Sequence, residues 1–151
     1  MISKAKIRAL AQEGHPMLLV GGDRRALLGL ARNLHRNSRF AEGPFLIHRG
    51  GSRGLPKNRK LSLVGLCAQL FRKAEGGTVY FENVDLLSME EAKQLYMVLE
   101  RGEFWDPETE ELVPVTFRVL GSAPEAVLEP HQASSLIYRL AERIIRLEDQ
   151  D

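Results

Sequence analysis

The 151-residue chain predicts an α/β fold, a three-layer arrangement with a parallel sheet of about five strands and helices on both faces. Three observations predict it. Short apolar runs of strand length recur along the chain, segments with apolar residues at helical spacing separate them, and Gly or Pro punctuation falls between the two kinds of segment. Strands alternating with helices of about ten to fifteen residues imply crossover connections, which place the strands parallel and cover the sheet twice. With 44% hydrophobic residues, the length suits one core, and residues 1–151 are read as a single domain.

Each element follows from its residues. Positions 2–13 carry Ile2 and Leu10 at helical spacing, with Gly14 as the stop. Met17-Leu18-Leu19-Val20, bounded by His15-Pro16 and Gly21-Gly22, suits a strand buried on both faces. Asp23 stands at an N-cap, and Ala26, Leu27, Leu30, Ala31 and Leu34 form the apolar face of a helix from Arg24 to about Ser38. Phe45 to His48 is a second strand. Residues 48–60 hold Arg49, Arg53, Lys57, Arg59 and Lys60 without an acid, and read as an exposed basic loop.

Leu63, Val64, Cys67, Leu70, Phe71 and Ala74 mark the next helix, closed by Gly76-Gly77, and Thr78-Val79-Tyr80-Phe81 is the third strand. Ser88 with Glu91 makes a capping box, opening a helix whose Ala92, Leu95, Tyr96 and Leu99 face inward and which Gly102 closes. Glu103 to Glu111 reads as an acidic turn, with Phe104 and Trp105 exposed beside it. Val115 to Ala123 is a fourth strand. A helix carrying Leu136, Tyr138 and Leu140 starts at Ser134 or Ser135, and Arg143 to Leu147 is a fifth strand.

Composition excludes several function classes. Lys+Arg 21 against Asp+Glu 20 leaves a net charge of +1, so no global field points to nucleic acid, membrane or an acidic substrate. The single Cys67 excludes an internal disulfide and fits a reducing compartment. No apolar run approaches the roughly 20 residues that span a bilayer. Lys4, Lys6 and Arg8, interleaved with Ile2 and Ile7, are amphipathic and unlike a signal peptide; the cytoplasm is the expected location. His15, His35, His48 and His131 are too scattered for a metal site, and Ser52 lacks the strand-turn-helix setting of a nucleophile.

Three segments together carry a family resemblance. LLVGGDRRALLGLARNLHRNSRFAEGPFLIH resembles the first strand, phosphate loop, helix and second strand of the sigma-54-dependent enhancer-binding activators, a branch of the AAA+ ATPases. FRKAEGGTVYFENVDLLSMEEAKQLYMVLERGEF resembles that family's acid-bearing strand and following helix. VTFRVLGSAPE, with LIYRLAERIIRL beyond it, resembles the sensor strand and the arginine-finger helix. The resemblance covers most of the chain and implies a P-loop NTPase base subdomain without the helical lid.

Departures from the family pattern set the expected function. The resemblance places a vestigial nucleotide pocket at Gly21, Gly22, Asp23, Arg24, Arg25, Glu82 and Asn83. Its phosphate loop needs backbone N–H groups around the phosphates and a lysine to neutralise them. Here the loop is one residue shorter, Leu27 falls at the lysine, and Asp23 puts a carboxylate where phosphate would sit. The Asp-Glu pair becomes Glu82-Asn83, and an asparagine cannot take a proton from water. The sensor asparagine aligns with Pro124, the first arginine finger with Ala133 and the second with Arg139, the one finger candidate that remains. The sigma-contacting G-A-F-T-G-A loop is missing.

The resemblance therefore implies no catalytic residue, no resident metal and no cofactor. The expected function is an inactive AAA+-like regulatory or interaction module in transcriptional or signalling control. Its partner would be an intact AAA+ relative or a second copy, and no membrane is involved. Two alternatives stay open: a weak ATP/ADP–magnesium switch, and nucleic-acid binding through residues 48–60. The basic loop and the acidic stretch with Phe104 and Trp105 are the candidate contact surfaces, complementary in charge and suited to salt-sensitive head-to-tail contact.

Overall fold

The structure is a computed structural model that describes residues 2–49, 63–129 and 134–147. Helix α1 (Lys4–Glu13) opens on Ser3, whose hydroxyl accepts the Lys6 N–H, and ends at Gly14 in the left-handed region, φ 70°. Strand β1 (Met17–Val20) is wholly buried. Asp23 caps α2 (Arg24–Arg36), its carboxylate accepting the Ala26 N–H at 2.8 Å. β2 (Phe45–Arg49), α3 (Leu63–Lys73), β3 (Thr78–Glu82) and α4 (Met89–Arg101) follow. Ser88 and Glu91 form the reciprocal capping box of α4, and Gly102 ends it. β4 (Glu103–Asp106), β5 (Glu111–Pro114), β6 (Arg118–Ser122), α5 (Ser135–Leu140) and β7 (Ile144–Arg146) complete the order.

Five strands lie side by side as β2-β3-β6-β1-β7, every neighbouring pair parallel. Alternation along each strand divides the core. Met17, Leu19, Tyr80 and Leu120 point to one face, packed with Leu10, Leu27, Leu30 and Leu34 of α1 and α2. Leu18, Val20, Val79, Phe81 and Val119 point to the other, packed with α3, α4, α5 and the β4–β5 hairpin. The C-terminal ends of the strands gather along one rim, which is where loops of a parallel sheet build a site.

The acidic stretch is not a simple turn. Glu103–Asp106 and Glu111–Pro114 pair antiparallel, and Phe104 is buried against Phe71, ring centroids 5.3 Å apart. Phe104 is therefore core and is unavailable as a contact residue, because odd and even positions of β4 face opposite ways. Trp105 faces outward and is exposed, as the sequence predicts. The strand expected over Val115 to Ala123 spans only Arg118–Ser122, since the Val115 N–H is taken by the Gly102 carbonyl at 2.9 Å and braces the hairpin. Arg53, Lys57, Arg59, Lys60, His131 and Ala133 lie outside the described residues, as do the side chains at 63–66.

A buried histidine ties α2 to the sheet. His35 Nε2 lies 3.2 Å from the Gly43 carbonyl and Nδ1 lies 2.8 Å from Thr78 Oγ1. A carbonyl only accepts, so Nε2 carries the proton and Nδ1 accepts from the threonine hydroxyl. Burial pulls the His35 pKa below its ordinary 6.5; the bond to Gly43 opposes this, and the charges of Arg118 and Arg36 add to the fall. Above pH 6.5 both the folded and unfolded states hold His35 neutral. Below it the unfolded chain gains a proton that the folded chain resists, so stability falls until the lowered native value is passed. Urea midpoints compared between pH 7.5 and 5 should show this loss in the wild type and a smaller loss in His35→Gln.

Candidate functional site

The rim at the ends of β1, β3 and β6 encloses a cleft of about 440 Å³, lined by Gly21 to Arg24, Leu27, Glu82, Asn83 and residues 122–125. The structure thus brings together six of the seven predicted pocket residues: Gly21, Gly22, Asp23, Arg24, Glu82 and Asn83. Arg25 is exposed on α2 and does not line the cleft.

Only Gly21, Gly22 and Asp23 separate β1 from α2. Gly21 takes φ 90°, a value that only glycine adopts without strain. Leu147 leans over Gly22, its Cδ1 2.5 Å from where a Cβ would stand. Asp23 places a carboxylate at the helix N-terminus, complementing the dipole and occupying the Ala26 N–H. Leu27, which the resemblance aligns with a phosphate-loop lysine, is buried in the core with α1 and α2. A triphosphate needs a run of free N–H groups and a cation at this turn. The turn offers three residues, a resident anion and an apolar side chain.

Glu82 ends β3 and is 2% exposed. Its Oε2 stands 3.3 Å from Arg24 Nε and 3.0 Å from Arg49 Nε. That oxygen makes no hydrogen bond of acceptable geometry, so the two guanidinium groups hold it by charge. Arg49 was assigned by sequence to the basic loop, not to this site. The parallel register explains its place: Arg49 of β2 is the direct partner of Glu82 in β3. Beside them Asn83 sits in the left-handed region, φ 55°, and its N–H donates to Ser122 Oγ at 3.2 Å. Tyr80 also hydrogen-bonds Ser122, and burial, the larger influence, pushes its phenol up to about 12. Ser122 lines the cleft and meets Tyr80 and Asn83 because β3 and β6 are neighbours, a register that no single strand encodes.

A magnesium ion does not fit this arrangement. It would have to displace two guanidinium groups from Glu82, and no cluster of three metal-ligating side chains exists among the described residues. Asp23, Glu82 and Glu125 give the cleft walls three carboxylates against the single Arg24; Glu125 is paired with Arg146 at 2.7 Å. Pro124, which the resemblance aligns with a sensor asparagine, is exposed and caps a short 3-10 turn.

Arg139 lies elsewhere, between α4 and α5. Its guanidinium contacts Glu100 at 2.9 Å, Glu142 at 2.7 Å and the Leu99 carbonyl at 3.2 Å. All three nitrogens are engaged within the chain. His48 bonds Glu91 at the root of the 50–62 segment. Burial alone would raise the Glu91 pKa, but bonds from the Ser88 backbone, His48 and the Ser88 hydroxyl carry it below the usual range. Cys67 is partly buried on the core side, and burial, with Glu91 and Glu90 nearby, pushes its thiol up to about 12, so it is not a nucleophile at neutral pH.

The fold matches solved structures closely. NtrX from Brucella abortus in complex with ATP superposes with a TM-score of 0.75 at 21% identity, covering 95% of this chain and 34% of NtrX. NtrX in complex with ADP gives 0.74 at 20% identity, with the same coverage. The P-loop NTPase domain of the sigma-54 transport activator from E. coli gives 0.65 at 19% identity, covering 95% of this chain and 98% of that domain. The chain therefore spans about a third of NtrX. No protein-family model matches it, and no curated protein does. The likeness establishes the fold, a parallel α/β sheet like that of NtrX and of the P-loop NTPase domain; no helix of the described residues is long and apolar enough to cross a membrane.

Proposed function

We propose that this chain is an AAA+-fold regulatory module that works through protein contact, in transcriptional or signalling control, and does not hydrolyse ATP. Fold alone does not carry an activity, so the reading rests on the site. The observation behind it is the Arg24–Glu82–Arg49 bridge, in which the chain's own cations take the place beside the acid of β3 where a metal-bound phosphate would go. Asp23 at the α2 N-terminus and the buried Leu27 point the same way. Asn83 supplies no base to activate water.

On this reading the chain is an α/β body that acts by docking. The competing reading, a weakened ATP/ADP switch, requires Arg24 to leave Glu82 and turn toward a phosphate. Calorimetric titration of the full chain with Mg-ATP and Mg-ADP separates the two. The docking module gives no heat of binding at millimolar nucleotide; a saturable isotherm that Arg24→Ala abolishes would establish the switch instead.

A further inference from the structure

Net charge conceals a division. Among the described residues, 2–49 hold nine Lys and Arg against three Asp and Glu, whereas 63–129 and 134–147 hold eight against fourteen. The fold turns this division of sequence into a division of space. α1 and α2 cover one face of the sheet, and α3, α4, α5 and the β4–β5 hairpin cover the other. α1 and α2 carry seven Lys and Arg against Glu13 alone, whereas α3, α4, α5 and residues 103–114 carry five against eight acids, so the first face is basic and the second acidic.

Each side has a feature that stands out from its charge. Between α1 and α2 runs a groove of about 400 Å³, lined by Lys4, Ile7, Arg8, Asn33, Arg36 and Asn37. Lys4, Arg8 and Arg36 have no carboxylate within ion-pair distance among the described residues, although Arg143, Arg139 and Arg146 all do. On the acidic side the hairpin projects Trp105, 41% exposed, directly across from Leu112, 53% exposed. Residues 103–114 contain five acids and no Lys or Arg; Asp106 is satisfied by Arg72 at 2.9 Å, and Glu108, Glu110 and Glu111 are left exposed at the tip.

We propose that the α1–α2 groove of one copy receives the Trp105 hairpin of a second copy. The knob and the groove match in charge, and an indole face is a favourable seat for a guanidinium such as Arg8 or Arg36. Because the two surfaces lie on opposite sides of the sheet, one contact leaves a free knob and a free groove, so association is head-to-tail. A nucleic-acid duplex would satisfy the groove but leave the apolar Trp105–Leu112 face uncovered. The interaction goes beyond the non-hydrolysing reading and does not depend on it: ATP turnover would overturn that reading and leave this one standing.

Sedimentation of the full chain tests it. The wild type should assemble with rising concentration at about 10 mM salt, where charges act over about 30 Å, and dissociate near 1 M, where they act over about 3 Å. Arg8→Glu/Arg36→Glu and Glu108→Lys/Glu111→Lys, all at exposed positions, should each be monomeric alone. Mixed, they should form a one-to-one complex that grows no further, because the first keeps its hairpin and the second keeps its groove. Trp105→Ala should weaken assembly by about tenfold while leaving the salt dependence in place. A wild type that stays monomeric at low salt, variants that still assemble alone, or a mixture that stays monomeric would each overturn the proposal. So would a monomer that binds duplex DNA and loses it in Arg8→Glu/Arg36→Glu, which would give the groove to nucleic acid.

Discussion

Arg118→Ala is expected to lower folding stability by about 4 kcal/mol, because it strips donors from two buried acceptors at about 1–3 kcal/mol each and leaves a void. Arg118 is 1% exposed and makes no ion pair with a carboxylate among the described residues. Its Nη1 donates to the Ala11 carbonyl at 3.2 Å and its Nη2 to the Leu10 carbonyl at 3.1 Å, with the His15 carbonyl 3.4 Å from Nε. The Leu10 and Ala11 carbonyls belong to the last turn of α1, where a cation also meets the negative end of the helix dipole. Burial lowers the Arg118 pKa to about 10, far above neutrality, so it stays charged. At this chain length the thermal midpoint should fall by roughly 10 °C. Arg118→Lys should recover part of the loss, since an ammonium reaches fewer acceptors. A urea midpoint that corresponds to less than about 1 kcal/mol for Arg118→Ala would show that α1 docks by apolar contact alone. The functional link is direct: α1 forms one wall of the basic groove, so a protein that loses this anchor loses the groove.

Gly77→Ala is the second large effect, about 3 kcal/mol or more, because overpacking against backbone has no rotamer through which to relax. A Cβ on Gly77 would stand 2.0 Å from the Pro44 carbonyl oxygen, and one on Gly43 would stand 2.1 Å from the Gly76 carbonyl oxygen. Two glycine-containing turns pass each other there at backbone distance, and the Thr78 N–H reaches the Pro44 carbonyl at 2.9 Å. That approach sets the register of β2 on β3, which in turn sets Arg49 against Glu82. Gly76 is the control: it has φ 76° but open space around its missing Cβ. Gly76→Ala should therefore lose only about 1–2 kcal/mol of left-handed strain. Equal losses at 76 and 77 would contradict the packing explanation, and urea denaturation of the pair decides it.

Much of the fold was legible because local chemistry and tertiary structure agree. Met17 to Val20 and Thr78 to Phe81 are buried on both faces as their unbroken apolar runs require. Asp23, the Ser88–Glu91 box, Gly14 and Gly102 mark helix ends where they should. The hairpin was not legible. Its strands are four residues each and hold acids that are poor strand formers, so charge outweighed the alternation of Phe104 and Asp106 with Glu103 and Trp105. Nor does any sequence signal separate Arg118, buried on three carbonyls, from an arginine on a solvated strand. The partners of Glu82 are a matter of register between strands far apart in sequence, which periodicity within one strand cannot supply. The groove cations were hidden differently: the total of +1 is a cancellation, and counting by segment reveals it.

The central claim is that the β1–α2 turn, with Asp23 at its helix and Glu82 already held by two arginines, offers no seat to a triphosphate. Phosphate release from Mg-ATP by the full chain, followed at high protein concentration and low salt, tests this most directly. The expected result is no release above that of buffer. Sustained release that disappears in Glu82→Gln would contradict it.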